Sequence, residues 1–191
     1  NCTNFNIVKD SKTPVGTTLE NLKAAIMGET GASAKYLAFA EAAEAQGYDQ
    51  VARLFKATAA AEQIHIGLEY GLVSPQDPDY VKPTVEAPEG YECDLNLIAG
   101  ANGEIYETSD MYPSYIKRAQ EEGETKAVQV LSRIKLAESV HAQRYLEAYN
   151  DLDCPDDDSF YLCPICGYIH KGEDFEKCPI CFMPKASFTA F

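Results

Sequence analysis

The sequence predicts a mainly α-helical protein: a four-helix bundle with one long crossover connection, followed by a small metal-knuckle domain. Long segments carry apolar residues at alternating steps of three and four, the spacing of a buried helix face. Two Cys-x-x-Cys pairs follow a run of aspartates near the carboxyl end. We place the bundle at residues 1–150, an acidic linker at 151–158 and the small domain at 159–191.

The first predicted helix covers residues 17–47. Thr17 with Glu20 three residues later forms a capping-box pattern, and Gly47 is a typical residue at a helix end. The apolar face of this helix also carries Glu29, so we expect that carboxylate to point into the core.

The second and fourth helices, predicted at residues 48–73 and 124–150, each carry a Glu-x-x-His pair on the apolar face. Residues 74–103 are rich in Pro and Gly and too long for a tight turn, which favours a crossover connection. The third helix is then predicted at about 104–122, where Pro113 should cause a kink or a late start.

Several buried acids at one height in the bundle predict a site for two metal ions. A Glu and a His three residues apart share a helix face and can reach one ion. At about 1.5 Å rise per residue, the offsets from each hairpin turn put these groups at similar heights. Two such pairs with further inward glutamates are typical of ferritin-like carboxylate proteins. The converging groups are Glu29, Glu62, His65, Glu104, Glu107, Glu138 and His141.

The alternative is that these groups are ordinary surface or ion-paired residues, since a single Glu-x-x-His pair is usually a solvated helix face. However, the basic residues Lys23, Lys35, Arg53, Lys56 and Lys135 fall off the apolar faces. Unpaired acids in the core would each cost on the order of several kcal/mol. A metal site is therefore favoured.

The second candidate metal site consists of Cys163, Cys166, Cys178 and Cys181. Two Cys-x-x-Cys knuckles can form a tetrahedral thiolate cage, and the spacing alone does not choose between zinc and iron. Zinc would be structural, whereas iron would make the domain an electron carrier. The remaining cysteines are scattered and do not indicate a disulfide framework: Cys2, Cys93 and Cys154.

The chain is strongly acidic, with 16 basic and 30 acidic residues and a net charge of −14. This balance disfavours nucleic acids and anionic membranes as partners. Residues 1–16 lack the pattern of an export signal and no apolar run has membrane-spanning length, so we expect a cytoplasmic protein. No Gly-x-Gly-x-x-Gly motif is present, so NADH should act through a partner.

Both knuckles have the form Cys-Pro-x-Cys, and the first is followed by Gly167 and Tyr168, which resembles rubredoxin, an iron protein. Joined to the bundle, this domain resembles the rubrerythrin family over nearly the whole chain. The segments that carry the resemblance are Glu29-Thr-Gly-Ala-Ser-Ala-Lys-Tyr36, Glu104-Ile-Tyr-Glu107-Thr-Ser-Asp-Met-Tyr112-Pro113 and the cysteine knuckles.

The resemblance implies a cytoplasmic peroxidase that reduces hydrogen peroxide to water. It implies an oxo- or hydroxo-bridged di-iron site in the bundle and one iron in the four-cysteine site. NADH would be the indirect electron source, through an NAD(P)H-dependent reductase or a rubredoxin. Two other activities of a ferritin-like bundle stay open: iron oxidation for storage, and reduction of dioxygen. A non-catalytic protein with structural metal and a zinc ribbon is a third alternative.

Residue roles also follow from the resemblance. The seven converging groups would be the di-iron ligands, with Glu62 and Glu138 bridging. One iron would move between Glu107 in the oxidised state and His65 in the reduced state. Two tyrosines would hydrogen-bond near the ligands: Tyr36 and Tyr112.

The route for electrons looks long within one chain. Glu138 lies about twelve residues before the predicted helix end, which is roughly 18 Å along the axis, and the linker adds to this. We therefore expect a head-to-tail homodimer in which one chain's knuckles lie beside the other chain's bundle, as the resemblance also implies.

Overall fold

The computed structural model describes residues 10–191 and is mainly helical, with a small sheet after the last helix. Cys2 and most of the segment considered for an export signal therefore lie outside the described residues. A π-helical turn, Glu107–Met111, joins α3 to α4, so the two form one continuous rod. The helices are α1 Thr18–Ala45, α2 Asp49–Val73, α3 Cys93–Tyr106, α4 Tyr112–Glu121 and α5 Thr125–Asn150. The strands are β1 Phe160–Leu162, β2 Ile169–Lys171 and β3 Thr189–Ala190.

The predicted capping box opens α1. The Glu20 amide donates to Thr17 Oγ1 at 3.2 Å, and the Thr17 amide donates to Glu20 Oε2 at 2.8 Å. After α1, Gly47 takes a φ of 84°, a left-handed conformation that glycine adopts without steric cost. The chain can then reverse at once into α2, which packs along α1.

The predicted start of the third helix is wrong: α3 begins at Cys93, and the crossover is the shorter segment 74–92. Gly100 and Gly103 weaken local helix propensity, but packing of α3 on α5 outweighs that loss. Pro113 lies in the first turn of α4, directly after the π-helical turn. The Tyr112 amide donates to the Glu107 carbonyl five residues earlier, so the helix widens there instead of stopping.

Two apolar clusters lie on either side of a layer of buried acids and histidines, which we call the acidic layer. On α1, Ile26 belongs to one cluster and Tyr36 to the other, with Glu29 between them. On α5, Ile134 and Tyr145 enclose the second Glu-x-x-His pair in the same way. The helices therefore hold a polar layer inside an otherwise apolar core.

The small sheet packs on the bundle. Its strand order is β2-β1-β3, with both pairings antiparallel. The side chains of Phe160, Leu162 and Ile169 are buried in the same apolar cluster as residues of α1 and α2. Gln50 on α2 donates to Asp156 Oδ1 at 2.7 Å, which fixes the acidic linker to the bundle. No helix within residues 10–191 is both long and apolar enough to cross a membrane.

Candidate metal centres

The structure brings six of the seven predicted groups into two clusters at the centre of the bundle, and Glu107 lies outside both clusters. They come from α1, α2, the α3 rod and α5. Six of them are fully buried, and Glu107 is 8% exposed. The chain offsets therefore predicted the common height of the six clustered groups.

The ligand atoms form two adjacent groups, and the atoms of each lie within 4.8 Å of one another. Glu62 and Glu138 belong to both groups, so each could bind an ion in either one. Glu107 belongs to neither group, and His65 occupies the first one. One group is Glu29, Glu62, His65 and Glu138; the other is Glu62, Glu104, Glu138 and His141.

Two tyrosines hold outer carboxylates of this layer. Tyr36 Oη donates to Glu104 Oε1 at 2.5 Å, and Tyr112 Oη donates to Glu29 Oε1. Both phenols are buried, so these hydrogen bonds are shielded from water. Each tyrosine fixes one oxygen of a glutamate and leaves the other oxygen free.

Many polar atoms of the layer have no hydrogen-bond partner among the described residues. A buried carboxylate oxygen without a partner is costly, and metal coordination removes that cost. The donor set, carboxylates with imidazole, suits iron or manganese ions. The unpartnered atoms include Glu29 Oε2, Glu62 Oε1, Glu104 Oε2 and Glu107 Oε2. The residues therefore fit a dinuclear metal site.

The pKa values of the buried acids also indicate a site for cations. Burial, together with repulsion from neighbouring acids, raises the pKa of Glu29, Glu62 and Glu107 well above the ordinary value. Burial and the charge of Glu138 raise the pKa of Glu104 to about 7. Without metal, these acids compete for the few positive charges nearby.

The two histidines supply those charges in the metal-free protein. Burial acts against ionisation of His65, but Glu138 outweighs it and raises the pKa of His65 to about 9. Burial likewise acts against ionisation of Glu138, and the two imidazoles outweigh it and hold the pKa of Glu138 below its ordinary value. Glu138, between His65 and His141, is thus the most firmly ionised acid of the layer.

The four knuckle cysteines converge on a second site. Cys163 Sγ lies 3.4 Å from Cys181 Sγ, and Cys166 Sγ lies 3.5 Å from Cys178 Sγ. Three of the four are fully buried, and Cys181 is partly exposed. Backbone amides of the second knuckle donate to Cys178 Sγ at 3.4 Å, as expected for a thiolate that binds metal.

The two sites are in direct contact within one chain. His65 Nε2 lies 3.0 Å from the Cys166 carbonyl oxygen, and His141 Nε2 lies 2.7 Å from the Gly167 carbonyl oxygen. The expectation of a long route within one chain is therefore wrong. It placed the small domain beyond the end of α5, whereas the linker turns back and the sheet packs beside α2 and α5.

Sequence reasoning missed Glu69 as a site residue. It is fully buried, and Tyr112 Oη lies 3.0 Å from Glu69 Oε1. Its position on the apolar face of α2, seven residues after Glu62, was the available signal. The carbonyl contacts of the first knuckle were also missed, because backbone acceptors have no signature in the sequence.

Two family models match the chain. The model described as Rubrerythrin matches residues 20–149, and the model described as Rubrerythrin, rubredoxin-like domain matches residues 161–189. Nigerythrin of Nitratidesulfovibrio vulgaris is 75% identical over 191 residues, covering 100% of this chain and 95% of the relative. Rubrerythrin of the same organism is 32% identical over 179 residues, covering 90% of this chain and 92% of the relative.

Solved structures of similar proteins agree with the match to these two family models. Nigerythrin in the fully reduced, all-ferrous state has a TM-score of 0.97 at 75% identity, covering 100% of this chain and 95% of that one. Symerythrin from Cyanophora paradoxa, at 22% identity and a TM-score of 0.67 over 80% of this chain and 93% of that one, shares the fold. A ferritin-like bundle with a rubredoxin-like domain, matched along its length, makes this chain a member of the rubrerythrin family.

Proposed function

We propose that this protein is a non-haem di-iron peroxidase that reduces hydrogen peroxide to water in the cytoplasm. Its electrons originate in NAD(P)H and arrive through the four-cysteine site from a reductase or a rubredoxin. One observation carries the proposal: the first cysteine knuckle contacts both histidines of the dinuclear site. Iron storage requires no such link to an electron carrier.

The residues of the acidic layer would hold two irons, and the four cysteines a third. When bound, a ferrous pair supplies both electrons that peroxide reduction consumes, and the iron of the four-cysteine site supplies their replacement. The all-ferrous state of the similar nigerythrin structure supports iron in these positions. The seven layer ligands would be Glu29, Glu62, His65, Glu104, Glu107, Glu138 and His141.

The small domain sets the orientation of both imidazoles. A carbonyl oxygen only accepts, so His65 Nε2 and His141 Nε2 must each carry the hydrogen. In the metal-free protein Nδ1 also carries a hydrogen and meets the acids, at 2.7 Å from Glu138 Oε1 for His65 and 2.8 Å from Glu138 Oε2 for His141. A metal ion that displaced this hydrogen would find the Nδ1 lone pair already directed into the layer. The domain that delivers electrons therefore also prepares both histidines to bind metal.

Two tyrosines and two of the proposed ligands would serve the reaction through their positions. Tyr36 and Tyr112 hold the outer carboxylates and keep a hydroxyl hydrogen beside the site where peroxide needs protons. Glu107 is the most exposed of the layer acids and stands outside both ligand groups, while His65 stands inside one. This arrangement fits an exchange of these two ligands with oxidation state.

The contact within one chain gives electrons a route that does not require a second subunit. The head-to-tail homodimer remains part of the proposal on the family resemblance alone. Mixing subunits that lack the cysteines with subunits that lack the layer ligands tests it. Restored turnover in the mixture indicates transfer between subunits, and its absence leaves the route within one chain.

The activity is tested with iron-loaded, fully reduced protein under anaerobic conditions. We expect reoxidation of the iron in the four-cysteine site, followed by its visible absorption, to be much faster with hydrogen peroxide than with dioxygen. The His65→Ala variant should keep its oxidised iron and lose most of the peroxide rate. Faster reoxidation by dioxygen would identify an oxygen reductase, and deposition of added iron in a large assembly would identify storage.

A further inference from the structure

Glu69 is a buried acid that the proposed reaction does not use. It lies on α2, one helical turn beyond His65, and it is fully buried. One of its oxygens faces the Tyr112 hydroxyl at 3.0 Å. The other, Oε2, has no partner among the described residues. Glu69 belongs to neither group of converging metal ligands.

The number of hydrogen atoms available at Tyr112 determines the protonation state of Glu69. A phenol has one hydrogen, yet the Tyr112 oxygen faces carboxyl oxygens of both Glu29 and Glu69. If both were carboxylates, one would point a lone pair at the phenol oxygen without a hydrogen between them. In a buried position that arrangement is strongly unfavourable, so one of the two carboxyl groups must carry its own hydrogen.

The surroundings assign that hydrogen to Glu69. Glu29 contributes to a ligand group, and metal binding requires its carboxylate form. Glu69 contacts the Tyr112 hydroxyl and interacts electrostatically with His65, Glu138, Tyr115 and Tyr80. Burial raises the pKa of Glu69 to about 8, which agrees with a neutral acid at pH 7.

We propose that Glu69 is a neutral carboxylic acid that donates a hydrogen bond to Tyr112 Oη and so directs the Tyr112 hydroxyl onto Glu29 Oε1. Glu29 Oε2, which has no other partner among the described residues, is then the oxygen presented to a metal ion. Glu69 is thus a positioning residue that acts through Tyr112. The proposal rests on the proposed function only in taking Glu29 as a metal ligand.

Two variants of nearly equal shape separate hydrogen bonding from packing. Glu69→Gln replaces the acid by an amide whose N–H can donate to Tyr112 Oη. Glu69→Leu fills the same space and donates nothing. Because a chain of hydrogen bonds polarises its members, loss of the donor at residue 69 should weaken the hydrogen bond from Tyr112 Oη to Glu29 Oε1.

The first measurement is infrared spectroscopy near pH 7 of protein that holds iron in the four-cysteine site and Co²⁺ in the bundle. We expect a carbonyl band of a protonated carboxylic acid in the unaltered protein and its loss in Glu69→Gln. An unchanged spectrum in the region of protonated carboxylic acids would show that Glu69 is ionised, which overturns the proposal.

The second measurement is the affinity of the bundle for Co²⁺ in the same preparation. We expect about fivefold weaker binding in Glu69→Leu and near-original affinity in Glu69→Gln, since one hydrogen bond contributes about 1 kcal/mol. Equal affinity in Glu69→Leu, or a fall from two bound ions to one, would overturn the proposal, the latter because Glu69 would itself be a ligand. Neither measurement uses peroxide, so failure of the peroxidase proposal would be seen separately.

Discussion

Gly167 is the residue at which the two metal centres meet most closely. Its φ of 76° is left-handed, and a Cβ placed on it would lie 2.4 Å from His65 Nε2. Only a residue without a side chain lets the knuckle carbonyls reach the imidazoles. The turn that binds metal in the small domain therefore also sets the distance between the two sites.

We expect Gly167→Ala to slow electron transfer between the sites by about tenfold to a hundredfold, the usual cost of disturbing a partner of a metal ligand. The added methyl group must push the knuckle away from His65. Gly172→Ala is the matched control, because Gly172 also has a left-handed φ of 81°, but its Cβ would meet only the Asp158 carboxylate at 3.3 Å.

Rapid mixing of the reduced protein with peroxide measures this rate through the absorption of the iron in the four-cysteine site. Strain at a left-handed alanine should lower stability similarly in both variants. Equal rates in the two variants would mean that the close approach at Gly167 does not govern the transfer.

At the scale of helices, the sequence predicted α1, α2 and α5 nearly to the residue, because each combines a clear apolar period with end signals. It failed at the start of α3. The segment 93–103 holds glycines and asparagines, and its helical state comes from packing on α5, which local propensity does not contain. Pro113 was recognised as a disturbance, but the widened turn that absorbs it depends on tertiary contacts.

The packing of α3 on α5 should make Gly100→Ala destabilising by about 1–2 kcal/mol, although alanine is the better helix former. The new Cβ would lie 3.0 Å from Tyr145 Cε2. That ring cannot retreat, because it is fully buried against Tyr36 and Phe55 and its hydroxyl is hydrogen-bonded to Thr58.

Gly71→Ala on α2 is the control, since a Cβ there meets nothing within 4 Å. It should stabilise the protein by about 0.5–1 kcal/mol. Denaturant unfolding of both variants measures the difference. A stabilised Gly100→Ala would show that Tyr145 can shift at little cost.

For the whole molecule, the identity of the clustered site residues was predictable, but their relation to the small domain was not. Helical spacing brings the seven acids and histidines to one height. The position of the small domain depends instead on a shared apolar cluster and on linker contacts that involve Gln50 and Asp156. The roles of Glu69 and of the knuckle carbonyls emerge only from that three-dimensional packing.

The metal-free protein should lose stability as pH rises from about 6 to about 9. The folded pKa is about 7 for Glu104, about 8 for Glu69 and about 9 for His65, each above the value in an unfolded chain. The folded state thus binds more protons than the unfolded state across this range, so unfolding becomes easier as protons leave. The folded pKa of Glu138 is lowered, so its contribution to stability is lost as pH falls, but only at pH values below its ordinary pKa.

Calorimetry of the metal-free protein at constant ionic strength should show a Tm lower by at least about 5 °C at the higher pH. Protein loaded with metal should show a smaller fall or a rise, because ligands bind metal in their deprotonated forms and the ions neutralise the acidic layer. Equal pH profiles with and without metal would mean that the buried acids are not the groups that couple folding to protons, and the layer would then need another source of positive charge.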